Sequence, residues 1–330
     1  MRSTRRSISA SLLAAPLLML PLGATRAADW PTRPVRIIVP FGASGVTDIV
    51  TRIVFDKVGQ QLGQQMIVDN RPGAGGTIAT DLAVHAAPDG YTFIMADPSG
   101  SLPANITLYP TLKYDPRKDL APVAAIGTTG AAVTVPASSP VKTLKQLVEL
   151  GRQKPDELTF VSVGNGTPGH LNGEMFSHLV GMKAVHVPYR VMSQAVTDMI
   201  AGRVSFWIVP IPGLLQQINA GQVRALAVAG AAHSRDLPGV PTVEETGFGR
   251  FDASTTYALF GPAGTPKEIV ERMHDAIRKA LESTDVQEKL RTAGVEPKIG
   301  PPAEVTKMLE ERTPQWAEVI KSAGIRAEGR

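Results

Sequence analysis

Val35-Arg36-Ile37-Ile38-Val39-Pro40-Phe41-Gly42-Ala43-Ser44-Gly45-Val46-Thr47-Asp48 is the stretch from which the fold class follows. Val35 to Val39 reads as a buried strand. Downstream, Ile49, Ile53, Val54, Val58 and Leu62 recur at helical spacing. A turn of small residues between a buried strand and a helix leaves backbone N–H groups unpaired and aimed outward. The helix dipole adds roughly half a positive charge there, so the turn suits a carboxylate or phosphate without a charged side chain. The plainer alternative is an ordinary strand-to-helix turn with Thr47 or Asp48 as the helix cap.

The alternation continues along the chain. Runs at Met66–Val68, Thr92–Met95, Ala131–Val135, Leu158–Val163, Ala184–Val187, Val204–Val209, Arg224–Val228 and Thr256–Phe260 predict strands. Helical spacing predicts helices over Asp48–Leu62, Ile78–Ala86, Leu144–Gln153, His170–Val180, Ser193–Ala201, Lys267–Leu281 and Ala303–Ser322. Alternating elements argue for an α/β protein with parallel, doubly wound sheets. Two stretches, Ala121 to Ser139 and Phe251 to Gly264, are expected to cross between lobes. The first lobe is then discontinuous, residues 28–128 with 254–330, around an inserted second lobe, residues 129–253. A ligand belongs between them, where loops at the carboxyl ends of both sheets face each other.

Met1 to Ala27 combines a basic start (Arg2, Arg5, Arg6), an apolar run from Ile8 to Leu22, and small residues around Thr25-Arg26-Ala27. It reads as a cleaved export signal to the periplasm, too short and too interrupted by Pro16 and Pro21 for a membrane span. Four of the 34 Lys and Arg and none of the 30 Asp and Glu lie in it, so the mature chain carries 30 of each. The apparent basicity belongs to the export signal, and no nucleic-acid surface is expected. The absence of cysteine excludes disulfides, a thiolate nucleophile, thiolate-bound metal and an N-terminal lipid anchor.

Gly164-Asn165-Gly166-Thr167-Pro168-Gly169 has the dinucleotide spacing G-x-G-x-x-G between a predicted strand and helix. The acid that would hold a ribose is missing, because the next strand runs His186-Val187-Pro188-Tyr189-Arg190. Pro168 also removes one N–H from the cradle. The stretch reads better as a second anion-accepting turn facing the first, with no cofactor. Of six histidines, only His170 and His178 fall close together on one predicted helix, at a spacing that matches no metal site. His170, beside the glycine turn, is a donor to a ligand or a first-turn polar residue. Ser44 has no paired histidine or acid and lies outside a G-x-S-x-G elbow. Asp48 is a general base or a capping carboxylate. Val191 and Met192, with Phe206-Trp207-Ile208-Val209-Pro210, form either core or the wall of a pocket for an aromatic or apolar ligand body.

Taken together, the segments resemble the Bug-type periplasmic receptors of tripartite tricarboxylate transporters. The resemblance rests on Val35–Phe41, Thr47-Asp48, Asn70-Arg71-Pro72-Gly73-Ala74-Gly75-Gly76, Ala87-Pro88-Asp89-Gly90-Tyr91-Thr92 and Leu108-Tyr109-Pro110. It continues with Gly164–Thr167, His170-Leu171, Gly173-Glu174, His186–Tyr189, Leu237–Val243 and Gly261–Pro266. It implies a type II periplasmic binding protein (Venus flytrap), no catalysis, and capture of a small organic acid by a monomer for membrane transporter subunits. It assigns ligand contact to Gly42, Ala43, Ser44, Gly45, Val46, Thr47 and Asp48 in one lobe. In the other it assigns Gly164, Asn165, Gly166, Thr167 and His170, with Tyr189, Arg190, Val191 and Val209 beside them. Ala43, Ser44, Val46, Arg190, Val191 and Val209 depart from the family pattern by adding bulk or removing polarity, which favours a larger, more apolar ligand than a citrate-like acid. The alternatives are an exported hydrolase using Ser44 and a ligand-sensing subunit for a signalling partner.

Overall fold

The computed structural model describes residues 30–230, 232–322 and 324–326, so the expected export signal, residues 1–27, lies outside the described residues. Ile37, Ile38 and Val39 are fully buried in β1 (Val35–Val39). This strand runs parallel to both neighbours, β2 (Met66–Asn70) and β3 (Thr92–Ala96). A strand covered on both faces needs an apolar run and not an alternation, which is why this one was legible. The remaining strands are β4 (Leu120–Thr129), β5 (Ala131–Pro136), β6 (Leu158–Ser162), β7 (Ala184–Pro188), β8 (Trp207–Pro210), β9 (Val223–Ala229), β10 (Thr255–Pro262) and β11 (Glu296–Gly300).

The first-lobe sheet has the order β11-β4-β10-β3-β1-β2. In the second lobe β8-β5-β9 form an antiparallel sheet and β6-β7 a parallel pair. A single bridge between Phe160 and Phe206 connects the two. The sheets are therefore mixed, not wholly parallel as expected. β4 runs toward the second lobe and β10 runs back from it, so the two pair antiparallel, with Thr129 opposite Thr255. The stretch Ala121 to Ser139, expected to cross between lobes with a strand at Ala131–Val135, is strand over most of its length: only Gly130 separates β4 from β5. Its Ala- and Gly-rich composition lowers strand propensity, but small side chains let the helices Lys267–Glu282 and Pro302–Ser322 pack on β4. β11 was likewise not anticipated.

All described strands and helices fall in the unit Pro31–Arg330. Ile38, Ile94, Leu102, Phe260 and Val305 build the first-lobe core, and Val133, Phe160, Phe176, Phe206 and Leu226 the second. A third cluster joins the lobes: Ala104 and Leu108 of the helix Ser101–Leu108 pack with Leu171 of the helix Pro168–Leu179 and with Trp316. At the return crossing, buried Asp97 accepts from the Ser99 N–H at 2.9 Å, and the Ser99 hydroxyl donates to the Ser254 carbonyl at 3.2 Å. No helix among the described residues is long and apolar enough to cross a membrane.

Candidate functional site

The turn after β1 ends at Gly45, which caps the helix Val46–Leu62 in an extended conformation with no side-chain bond. Neither Thr47 nor Asp48 is the cap. Ile49 N–H bonds the Gly45 carbonyl at 3.0 Å, so the amides of Val46 and Thr47 lie ahead of the helical ladder. Gly42, Ala43, Ser44 and Gly45 are exposed, and Val46 and Thr47 half-buried. Ser44 adopts a left-handed φ of 67°, a conformation that a Cβ disfavours.

Asp48 holds it there. Its side chain is buried and its Oδ2 accepts the Ser44 N–H at 2.9 Å. Arg52 Nε donates to both oxygens at 3.0 Å, and Asn70 Nδ2 to Oδ1 at 3.0 Å. The same Asn70 nitrogen reaches the Phe41 carbonyl at 3.0 Å. Burial by itself raises the Asp48 carboxyl, but the Arg52, Ser44 and Asn70 hydrogen bonds outweigh it and hold the group below the usual carboxylate range. Asp48 is thus an engaged anion bracing the turn from behind, which suits neither a general base nor an end cap. Arg52 and Asn70 were not picked out as its partners, because they come from the next helical turn and from a neighbouring strand.

Gly73-Ala74-Gly75-Gly76 contacts both turns, and all four residues have positive φ, at 133°, 45°, 62° and 95°. A Cβ on Gly76 would stand 3.2 Å from Pro40 Cβ, and one on Gly75 only 2.9 Å from the Gly166 carbonyl oxygen. Only glycine lets the lobes approach so closely at position 75. Asn105 Nδ2 fixes the Gly75 carbonyl at 3.0 Å, while its buried Oδ1 has no hydrogen-bond partner.

The second turn differs from the expectation of outward amides. Gly164 N–H donates to Ser162 Oγ at 3.1 Å, Thr167 N–H to the Gly164 carbonyl at 3.3 Å, and Gly166 N–H to His170 Nδ1 at 3.1 Å. The Thr167 hydroxyl also donates to the Gly164 carbonyl, at 2.6 Å. These groups shape the turn from within. Asn165 is half-buried at its tip. Of the two readings of His170, donor to a ligand or first-turn polar residue, the structure favours the second: it is buried and accepts from the turn. Its ring stacks on His186 with centroids 4.0 Å apart, and Phe160 lies against both rings, 5.0 Å from His186 and 6.4 Å from His170. Gly173 makes room for this stack, because a Cβ there would overlap the Phe160 ring. His186 Nε2 lies 2.7 Å from Ser162 Oγ. Burial, and secondarily the His170 charge, push His186 down to about 3.

Tyr189 turns its hydroxyl to Asp198 Oδ2 at 2.7 Å, while Arg190 is exposed and Val191 is 50% exposed. Val209, Phe206 and Trp207 form no wall. They are core, because β8 lies between β5 and the Phe160–Phe206 bridge and is covered on both faces. Of the expected apolar wall, Val191 and half-buried Met192 remain accessible. No group of three or more metal-ligating side chains among the described residues is placed to hold a metal.

The model of the tripartite tricarboxylate transporter family receptor matches residues 50–325. A Pseudomonas protein encoded between tcbD and tcbE is 36% identical over 298 residues, covering 90% of this chain and 88% of its own. The structure is similar to Rpa4515 of R. palustris with adipate, at a TM-score of 0.82 and 34% identity, over 90% of this chain and 99% of that one. It is also similar to MatC of Rhodopseudomonas palustris with bound malate, at 0.81 and 29%, over 88% and 100%. The braced turn after β1, the glycine contact between lobes and this match along the chain converge. The chain belongs to the tripartite tricarboxylate transporter receptor family, whose members are two-lobed periplasmic solute-binding proteins and not enzymes.

Proposed function

We propose that this chain captures a small organic carboxylate between its lobes and hands it, as a monomer, to membrane subunits of a tripartite tricarboxylate-type transporter. The observation that carries the reading is the exposed turn Gly42–Gly45, braced from behind by Asp48, with the Val46 and Thr47 amides ahead of the helical ladder. Hydrogen bonds from such amides to a charged ligand are each worth about 1.5–3 kcal/mol, against roughly 0.3–1 kcal/mol for the helix dipole. The dicarboxylates named for two structural neighbours, adipate and malate, support the ligand class. Val46 and Val191 support a ligand with an apolar or aromatic body; buried Val209 lends that idea nothing. The lobes, residues 28–128 with 254–330 and residues 129–253, would swing about the paired crossings at Gly130 and Ser254.

Calorimetry with adipate, malate, phthalate and benzoate tests this, with the neutral diamide of adipate as control. At least one acid is expected to bind at micromolar concentration while the diamide fails. No binding by any of the acids, or equal binding of adipate and its diamide, would overturn carboxylate capture.

A further inference from the structure

His170 stands behind the second-lobe turn, and its geometry dictates its protonation. A backbone N–H can only donate, so the 3.1 Å bond from Gly166 requires Nδ1 to carry a lone pair. The neutral ring then carries its proton on Nε2, which faces Glu174 Oε1 at 3.8 Å. The Gly166 carbonyl oxygen, which belongs to the next peptide group, meets Gly75 across the lobe boundary. The two peptide groups join at the Gly166 Cα, so the Gly166 N–H held by His170 and the Thr167 N–H held by the Gly164 carbonyl at 3.3 Å together fix where that carbonyl stands.

We propose that His170, stacked on His186, is a positioning residue for ligand capture: as an unprotonated acceptor it anchors the Gly166 N–H, and with it the backbone whose next carbonyl meets Gly75 across the lobes. The proposal rests on capture between the lobes as argued above, and adds the group that makes capture depend on imidazole protonation.

Protonation at Nδ1 replaces an acceptor with a donor facing a donor. Gly166, held at a left-handed φ of 73°, then loses its anchor. The titratable groups facing the ring are His186 from β7, Glu174 from its own helix, and Tyr109 from the end of the helix Ser101–Leu108, whose hydroxyl lies against Gly166. His186, pushed down to about 3 by burial, stays a neutral ring 4.0 Å away across the pH range of the test, whereas Glu174 favours protonation of His170 when ionised. Burial pushes the Glu174 carboxyl up, which weakens that support as the pH falls.

Asparagine tests the mechanism because its Oδ1 occupies nearly the place of Nδ1 but cannot take a proton. Imidazole and amide resonances of 15N-labelled protein are followed from pH 8 to 4, and adipate affinity is measured by calorimetry at pH 7.5 for the parent, H170N and H170L. His170 is expected as the Nε2-protonated tautomer at pH 7.5, with the Gly166 amide shift moving at the His170 midpoint. H170L is expected to lose at least tenfold in affinity while remaining folded by circular dichroism, and H170N to recover most of that loss. A proton on Nδ1 at pH 7.5, a Gly166 amide indifferent to the His170 titration, or parent-like binding by H170L would each overturn the proposal. Failure of adipate to bind the parent protein would count against the ligand class instead, and the tautomer and amide titration would still decide the role of His170.

Discussion

Asp48→Ala removes the brace of the first turn, and its cost can be worked from the contacts. Arg52 is 53% exposed, so its ion pair with Asp48 is screened and contributes about 0.5–1 kcal/mol. The Ser44 N–H and the Asn70 amide donate to a buried ionised oxygen at 2.9 and 3.0 Å, at roughly 1–1.5 kcal/mol each. Release of Ser44 from its left-handed conformation returns part of this, about 0.5–1 kcal/mol. The expected loss is about 2–3 kcal/mol, which for a protein of this size lowers the melting midpoint by roughly 3–5 °C. Its pH dependence has a definite sign. The Asp48 carboxyl is held below its ordinary 3.8, so its contribution is complete above that pH and disappears as the pH falls through the lowered value. The parent and variant should differ fully at pH 7, and the gap should narrow as the pH falls below 3.8. Differential scanning calorimetry across that range measures it. A midpoint drop smaller than about 1 °C at pH 7, or a gap as wide at pH 2.5 as at pH 7, would refute the bracing argument.

Ser44→Gly relieves the left-handed strain and should raise stability by about 0.5 kcal/mol in urea unfolding, since added freedom in the unfolded chain offsets part of the gain. A loss of stability would show that the Ser44 side chain supports the turn. Gly75→Ala puts a Cβ 2.9 Å from the Gly166 oxygen; adipate affinity should fall at least tenfold, about 1.4 kcal/mol, and small-angle scattering should show no ligand-induced closure. Unchanged affinity would mean that the lobes need not meet there. Gly45 has negative φ, and a Cβ there would meet the Gly42 carbonyl oxygen at an ordinary 3.4 Å, so Gly45→Ala should leave stability unchanged while Gly45→Phe blocks binding by filling the turn's exposed side. His186 titrates near 3 in the folded protein against an ordinary 6.5. The unfolded chain therefore takes up the proton first, and stability falls as pH drops from 6.5 toward 3. His186→Phe, measured by urea midpoints at pH 7.5 and 4.5, should flatten that slope; an identical slope would place the acid sensitivity elsewhere.

The strand-to-helix turns after β1 and β6 were legible because their signals are local. A continuous apolar run, small residues and helical spacing report burial and backbone shape over a dozen positions. The helices Leu144–Gln153 and Lys267–Glu282 were readable for the same reason, with strong amphipathic spacing. β4 was not, because its Ala- and Gly-rich residues become a strand only when β10 and β11 pair along them and two helices press on its face. The site divides in the same way. Sequence alone picked out Gly42–Asp48 and Gly164–His170 as turns at helix starts, but the pairing of Asp48 with Asn70 and of His170 with Gly166 and His186 depended on elements brought within hydrogen-bond reach by folding. Gly75 stands among the residues of the family resemblance, yet its reason for being glycine lies in the other lobe, 91 residues further along the chain at Gly166. Val209 went the other way: assigned to ligand contact by the family resemblance, it is core because β8 is covered on both faces. Backbone shape is set by neighbours in the chain, whereas the role of a polar or apolar side chain is set by what the fold places within about 3–4 Å of it.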